Sequence, residues 1–275
     1  VILAIATMAV FGAAGPSESF LKMSWDKMDK VDPYKTDCLV TVPFFQKKSG
    51  LSKEDDINVG LTEIAFQRFE RHEVQSVRLA DSKAYSAGEK SDSITPLGDY
   101  FTEQLSYEDS LKKIQTPERK SYQLVVIPDS LYYLFGNGRW KEVSDEEVSA
   151  SVLENVRDVH LTDPIDKDTL QFKKWKQEKK NKVAIFEGFG TPQHSANLFQ
   201  KLTGSAPQDE LHPASVTLQV DSNGLWSRAD SVFKFDGPGA QFQIKESCKF
   251  QYGSKVRLIL PENADPIDTE SGLGE

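Results

Sequence analysis

The sequence predicts an α+β fold: an N-terminal apolar helix, a mixed α/β middle and a C-terminal antiparallel meander. Three observations carry this. Residues 215–260 alternate apolar and polar side chains with period two. Between them and the N-terminus lie segments with helical spacing and cap residues, interleaved with short apolar runs. The chain opens with 17 uncharged residues, mostly apolar, and its first charge is Glu18.

Composition limits the function class. Among 275 residues, 33 Lys+Arg stand against 42 Asp+Glu, a net charge of −9. Whole-chain binding to nucleic acid wants the opposite sign. Hydrophobic residues at 38% and charged residues at 27% fit a globular chain, neither disordered nor a bundle of membrane spans. Two cysteines are too few for a disulfide scaffold or a zinc ribbon.

The opening run, Val1 to Ala14, is shorter than the roughly 20 residues of a spanning helix. It also has the make-up of a signal-peptide core, with Gly12-Ala13-Ala14 like a cleavage site. Residues 1–15 are read as a membrane anchor. Phe20, Leu21, Trp25 and Met28 then recur at helical spacing, predicting an amphipathic helix over 17–30 that ends at Asp32-Pro33. Lys22, Lys27 and Lys30 with Trp25 suit either a membrane interface or a helix lying on the domain. The division expected is 1–33 anchor and helix, 34–261 one globular domain, and 262–275 an acidic tail.

In the middle, residues 38–46 read as a strand, with Pro43 near an edge or an end. Residues 61–71 read as helical, with Leu61, Ile64, Ala65 and Phe69 on one side, and 74–80 as a strand. Residues 81–98 hold six serines or glycines and one proline and read as a surface loop. A helix is expected over 99–115 and a buried strand over 122–127. Ser144 and Glu147 form a capping box ahead of a helix over 145–157 with the stripe Val148, Val152 and Val156.

Residues 173–182 carry six lysines against one glutamate. The bland reading is a solvated helix end. The functional reading makes Lys173, Lys174, Trp175, Lys176, Lys179 and Lys180 a surface for an acidic partner or anionic lipid. Next, 182–187 is a strand, Gly188-Phe189-Gly190 a turn, and Thr191 caps a helix with Pro192 at its first position. Strand, turn and helix here lack G-x-G-x-x-G and G-K-[ST], so nucleotide binding is not inferred.

The meander is the clearest object. Val216, Leu218 and Val220 alternate, and Asn223-Gly224 is a strong hairpin signal whose two residues accept positive φ. Leu225, Ala229, Phe233 and Phe235 share a face on the return strand. Phe242, Ile244, Glu246, Cys248, Phe250 and Tyr252 share one on the next, with Gln241, Gln243, Lys245, Lys249 and Gln251 opposite. A fourth strand is expected over 256–260. Strands this long twist, and either close into a lipocalin-like barrel or stay a curved sheet.

Chemistry is sparse. The four histidines, His72, His160, His194 and His212, show no metal-ligand spacing. There is no nucleophile elbow and no paired-carboxylate signature. No catalytic residue, metal site or cofactor is expected. The six candidate ligand-lining residues are Phe233, Phe235, Phe242, Ile244, Glu246 and Phe250. Glu246 is the odd member: on an apolar face its carboxylate needs a partner, Arg228 or Arg257 being the candidates. Cys38 and Cys248 are read as buried free thiols, the alternative being a bridge that closes a loop of about 210 residues. The leading functional reading is a non-catalytic accessory or assembly subunit of a membrane-associated complex, with protein partners and no nucleic acid. The alternative is a lipocalin-like carrier or chaperone of a hydrophobic ligand or pigment.

Overall fold

In the computed structural model the described residues are 18–47, 66–78, 85–96, 118–135, 138–158, 160–178, 180–203, 207, 211–236, 240–256 and 261–266. They form one α+β fold dominated by a sheet of twelve strands, antiparallel except where β12 pairs with β6 in parallel, in the order β12-β6-β5-β4-β3-β2-β1-β11-β10-β9-β8-β7. The strands are β1 Tyr34–Lys47, β2 Phe66–Arg78, β3 Tyr85–Pro96, β4 Glu118–Ile127, β5 Ser130–Phe135 and β6 Lys141–Val143. Then come β7 Gln171–Glu178, β8 Asn181–Phe189, β9 Ser215–Val220, β10 Trp226–Asp236, β11 Ala240–Tyr252 and β12 Asp265–Pro266. Among the described residues three α-helices accompany them: α1 Glu18–Met28, α2 Glu146–Asp158 and α3 Pro192–Thr203.

The order shows how the sheet is assembled. β1 to β6 are one run of neighbours and β7 to β11 another, and the two runs meet at β1 and β11. That seam pairs Tyr34 with Tyr252 at one end and Lys47 with Ala240 at the other, with a register shift between Thr41 and Phe44 around Pro43. A proline cannot donate to the ladder, so the irregularity falls where the sequence demands it. β7 and β12 lie at opposite ends of the order, so among the described residues the sheet is open rather than a closed barrel.

The meander alternates as expected. Phe242, Ile244 and Glu246 are buried and Gln241, Lys245, Lys249 and Gln251 exposed, whereas Gln243, Cys248 and Phe250 are half-buried. Beyond β11, however, the neighbour is β1 and not a fourth meander strand. Most of the segment expected to supply one, 257–260, lies outside the described residues. The Asn223-Gly224 turn also differs in detail. Only Gly224 has positive φ, at 81°. The Gly224 N–H donates to Asp221 O, and the Asp221 carboxylate accepts from the N–H groups of Asn223 and Leu225 at 2.8 and 2.9 Å. The aspartate side chain thus builds a three-residue connection with glycine in the left-handed position, in place of a two-residue turn.

Four other expectations are corrected. Residues 66–71, expected as helix, belong to β2, where pairing with β1 overrides a short and ambiguous period. Residues 85–96, expected as loop, form β3, hydrogen-bonded to β2 on one side and β4 on the other. Two neighbouring ladders satisfy a serine-rich backbone whose own β-propensity is low. The lysine run is an edge strand and hairpin, not a helix end: β7 pairs only with β8 among the described residues. A bulge between Phe172 and Lys174 keeps both aromatics, Phe172 and Trp175, on the inner face. Lysines along an edge strand disfavour strand addition by another chain. Helix α2 is capped by Asp145 rather than Ser144: Asp145 Oδ1 accepts from the Val148 N–H at 3.0 Å, while Ser144 Oγ turns to Glu142. Among its described side chains Ser149 and Leu153 are buried and Val148 is exposed, while the side chain of Val156 lies outside those described. The helix expected over 99–115 and the apolar segment 1–15 lie outside the described residues. Among those described, no helix is long and apolar enough to cross a membrane.

All three helices lie on one face of the sheet. Leu153 of α2 packs on Val126 of β4. Helix α1 is fixed over β8–β10 by Phe20 stacked on Phe186 and by Trp25 set edge-on to Trp226 at 4.9 Å. The buried indole N–H of Trp226 donates to Ser24 Oγ at 3.0 Å. Trp25 therefore faces the domain, and helix α1 lies on it with its lysines outward.

Candidate ligand-binding face

Five of the six candidate lining residues fall into two apolar clusters on the inner face, and the sixth, Glu246, lies between them. Phe233, Phe242 and Ile244 are buried with Val40 and Val42 of β1 and with Leu198 and Phe199 of α3, and Phe235 packs beside them. Phe235 stacks on Phe242 with ring centroids 4.8 Å apart, and Phe199 lies 5.7 and 6.2 Å from the same two rings. Phe250 belongs to the second cluster, edge-on to Trp226 at 6.0 Å. Tyr252 closes that cluster, its hydroxyl donating to Trp226 O at 2.7 Å, and burial pushes its pKa up. The first cluster is filled by α3, so the expected lining set is a packed face beneath a helix.

Phe250 is only half-buried. Phe250→Ala should therefore cost roughly 2 kcal/mol rather than the 3–5 of a full core truncation. Gln251→Ala, on the exposed face, should stay within about 0.5 kcal/mol. Urea melts of the two variants check this.

Glu246 lies between the clusters along β11 and is 8% exposed. Its partner is Lys201 of α3, whose Nζ donates to Glu246 Oε1 at 2.9 Å, and not Arg228, which bonds Asp230; Arg257, the other candidate, lies outside the described residues. Lys201 also lies 3.0 Å from Glu73 Oε2 on β2. His194, two turns earlier on α3, places Nε2 2.9 Å from Ser231 Oγ and 3.7 Å from Glu246 Oε2. Ser231 stands opposite Glu246 in the β10–β11 register. Ser195 Oγ accepts the Ala214 N–H at 2.9 Å and ties the helix to the residue before β9. Gly190 makes the approach feasible, because a Cβ there would meet His194 Cδ2 and Pro164 O at 2.9 Å.

Helix α3 therefore covers an aromatic face and is pinned to it by a strip of buried polar contacts. None of His194, Lys201, Ser231 and Glu73 was singled out from the sequence. One signal was there: His194, Leu198 and Lys201 stand at i, i+4 and i+7, one face of one helix. Ser231 and Glu73 become neighbours of Glu246 only through strand register.

The charges follow from the surroundings. Burial lowers the His194 pKa, with Lys201 acting in the same direction and the Glu246 carboxylate opposing. Burial alone would lower Lys201 too, but the Glu246 and Glu73 carboxylates reverse this and raise it, so its ammonium is kept charged. The unfolded chain then binds a proton at position 194 more readily than the folded one. Stability from this group is complete above about pH 6.5 and is lost as the pH falls toward the depressed folded value. Thermal melts from pH 7.5 down to pH 5 (values of about neutral to mildly acid) should show this decline, and His194→Gln should flatten it.

The His194–Ser231 pair does not have the arrangement of a nucleophile and its base. In that arrangement the hydroxyl and the orienting carboxylate contact different ring nitrogens. Here both Ser231 and Glu246 approach Nε2. Among the described residues no group of three or more His, Cys, Asp and Glu could hold a metal ion. In the lysine run, Lys173, Lys174, Lys176 and Lys180 are exposed, Trp175 turns inward, and Lys179 lies outside the described residues.

The structure joins Cys38 and Cys248 in a disulfide, in place of the free thiols expected. They are directly paired across the β1–β11 seam, with Cα atoms 4.0 Å apart.

No protein-family model matches the chain, and no curated protein matches it. Among solved structures, LprF from Mycobacterium bovis aligns with a TM-score of 0.41 and 12% identity over 91% of this chain and 100% of that one. The Mycobacterium tuberculosis lipoprotein LppX aligns with a TM-score of 0.32 and 13% identity over 90% and 97%. At these TM-scores neither likeness bears on what this chain does.

Proposed function

We propose that the chain is a non-catalytic carrier of a hydrophobic small molecule, held on the inner sheet face that helix α3 covers. The observation behind this reading is the polar strip of His194, Lys201, Ser231, Glu246 and Glu73 set between aromatic clusters. Binding sites for apolar ligands combine an apolar lining with a few convergent polar groups. In the state described, Leu198 and Phe199 of α3 occupy the face. The ligand takes their place when α3 lifts, so apparent affinity is the intrinsic affinity multiplied by the open fraction. The packing supports this carrier reading in preference to the accessory-subunit reading.

Titration with cis-parinaric acid, followed by its fluorescence, tests it. Saturable one-to-one binding displaced by oleate is expected. Phe199→Ala weakens the closed state, so it should bind the probe about tenfold more tightly or better. Lys201→Met should act in the same direction. Absence of saturable binding by all three folded proteins, verified by circular dichroism, overturns the reading.

A further inference from the structure

We infer that the β7 end of the sheet, together with the outer face of α1, is a docking surface for an anionic phospholipid bilayer. The chain carries a net charge of −9, yet lysines crowd this one end. β7 exposes Lys173, Lys174 and Lys176, and the hairpin into β8 adds Lys180 and Lys182. Helix α1 reaches the same end, since the Phe20 ring lies 6.2 Å from Trp175 of β7. Its outward side is an open groove lined by Ser19, Lys22, Met23, Asp26, Lys27 and Lys30, with Met23 exposed.

Some of this charge is already engaged. Lys173 lies 3.5 Å from Glu187, Lys182 sits over the Trp175 ring at 4.7 Å, and Lys27 donates to Asn223 O. The exposed carboxylates of Glu18, Asp26 and Asp29 balance the three lysines of the α1 side, and Glu178 offsets one on β7, so the excess positive charge lies on β7 and its hairpin. Lys22, Lys30, Lys174, Lys176 and Lys180 stay exposed on the two sides of the sheet end. A bilayer is favoured over RNA or an acidic protein because residues 1–15 are apolar and uncharged and run into α1 at Glu18. The uncharged run of the sequence thus ends at the helix that packs against β7 through Phe20 and Trp175. One apolar element plus a basic patch is the combination that gives stable membrane attachment. Because the whole chain is acidic, attraction to an anionic surface must come from this local patch and must fade with salt.

The test uses the full chain and co-sedimentation with two kinds of vesicle, phosphatidylcholine alone and phosphatidylcholine with phosphatidylglycerol. The readout is the ratio of the two partition coefficients, in which the common apolar contribution cancels. A lysine near an anionic surface contributes about fivefold. The ratio should be about tenfold or more at low salt and approach one at about 0.5 M salt. It should collapse in Lys22→Gln/Lys30→Gln/Lys174→Gln/Lys176→Gln. It should persist in Lys234→Gln/Lys245→Gln/Lys249→Gln/Lys255→Gln, which changes net charge equally at exposed positions elsewhere. A ratio near one in the parent chain overturns the inference. So does equal loss in both variants, or retention in the first. Salt-sensitive binding to a polyuridine RNA with no phosphatidylglycerol preference would overturn it in favour of nucleic acid. No bound hydrophobic ligand is read, so this outcome is independent of the carrier test.

Discussion

Breaking the Cys38–Cys248 bridge should cost about 5 kcal/mol, the largest single loss expected for this fold. The bond closes a loop with a sequence separation of 210 residues. Restricting so long a loop in the unfolded chain is worth about 5 kcal/mol on the chain-entropy account, and removing native disulfides costs about 2–5 in practice. Its position adds to its weight. Among the described residues the two runs of strands, β1–β6 and β7–β11, share backbone pairing only at the β1–β11 seam, and the bridge spans that seam. Cys38→Ala/Cys248→Ala should therefore unfold at a much lower urea concentration than the parent. Alkylation in denaturant without reductant should add no mass, and reduction first should add two alkyl groups. Two groups added without reductant, or coincident urea curves, would show that the seam is held by pairing alone.

The free-thiol expectation failed for a reason that applies to most of what the sequence hid. Cys38 and Cys248 both lie in segments legible as strands, but nothing local says that β1 pairs with β11. Long-range register is a property of the folded sheet, and it also decides the partner of Glu246. Arg228 was near in sequence, yet it bonds Asp230 at 2.8 Å on its own strand. The meander was legible because period two with aromatics on one face leaves a single register that keeps those aromatics dry. Helix α3 was legible from Thr191 and Pro192, and the Thr191 Oγ1 does accept the His194 N–H at 3.2 Å. β3 was not, because its serine-rich residues satisfy their backbone through neighbours on both sides. The lysine run was misread for a similar reason. Charge density marks a solvated surface but does not distinguish a helix end from a sheet edge.

Lys201→Met should be the most damaging substitution in the polar strip, at about 3 kcal/mol. Removing one member of a buried ion pair costs about 3–5 kcal/mol because the other charge is left uncompensated. The lower end applies here, since the Lys201 side chain retains 30% exposure and water screens part of the interaction. Glu246, with a side chain 9% exposed, would then face only His194 at 3.7 Å. The consequence for His194 has a definite sign. Lys201 lowers its pKa and Glu246 raises it, so deleting the lysine leaves the raising influence and the histidine pKa climbs. Proton NMR titration of the His194 ring reads this directly, and His72, on the opposite face of the sheet, serves as an internal control. Adding Glu246→Leu removes the stranded carboxylate, so Lys201→Met/Glu246→Leu should recover most of the lost stability. A single variant as stable as the parent, with an unmoved His194 titration, would mean that the Lys201 ion pairs do not help to hold α3 on the sheet. The polar strip would then have no part in governing how readily the aromatic face is uncovered.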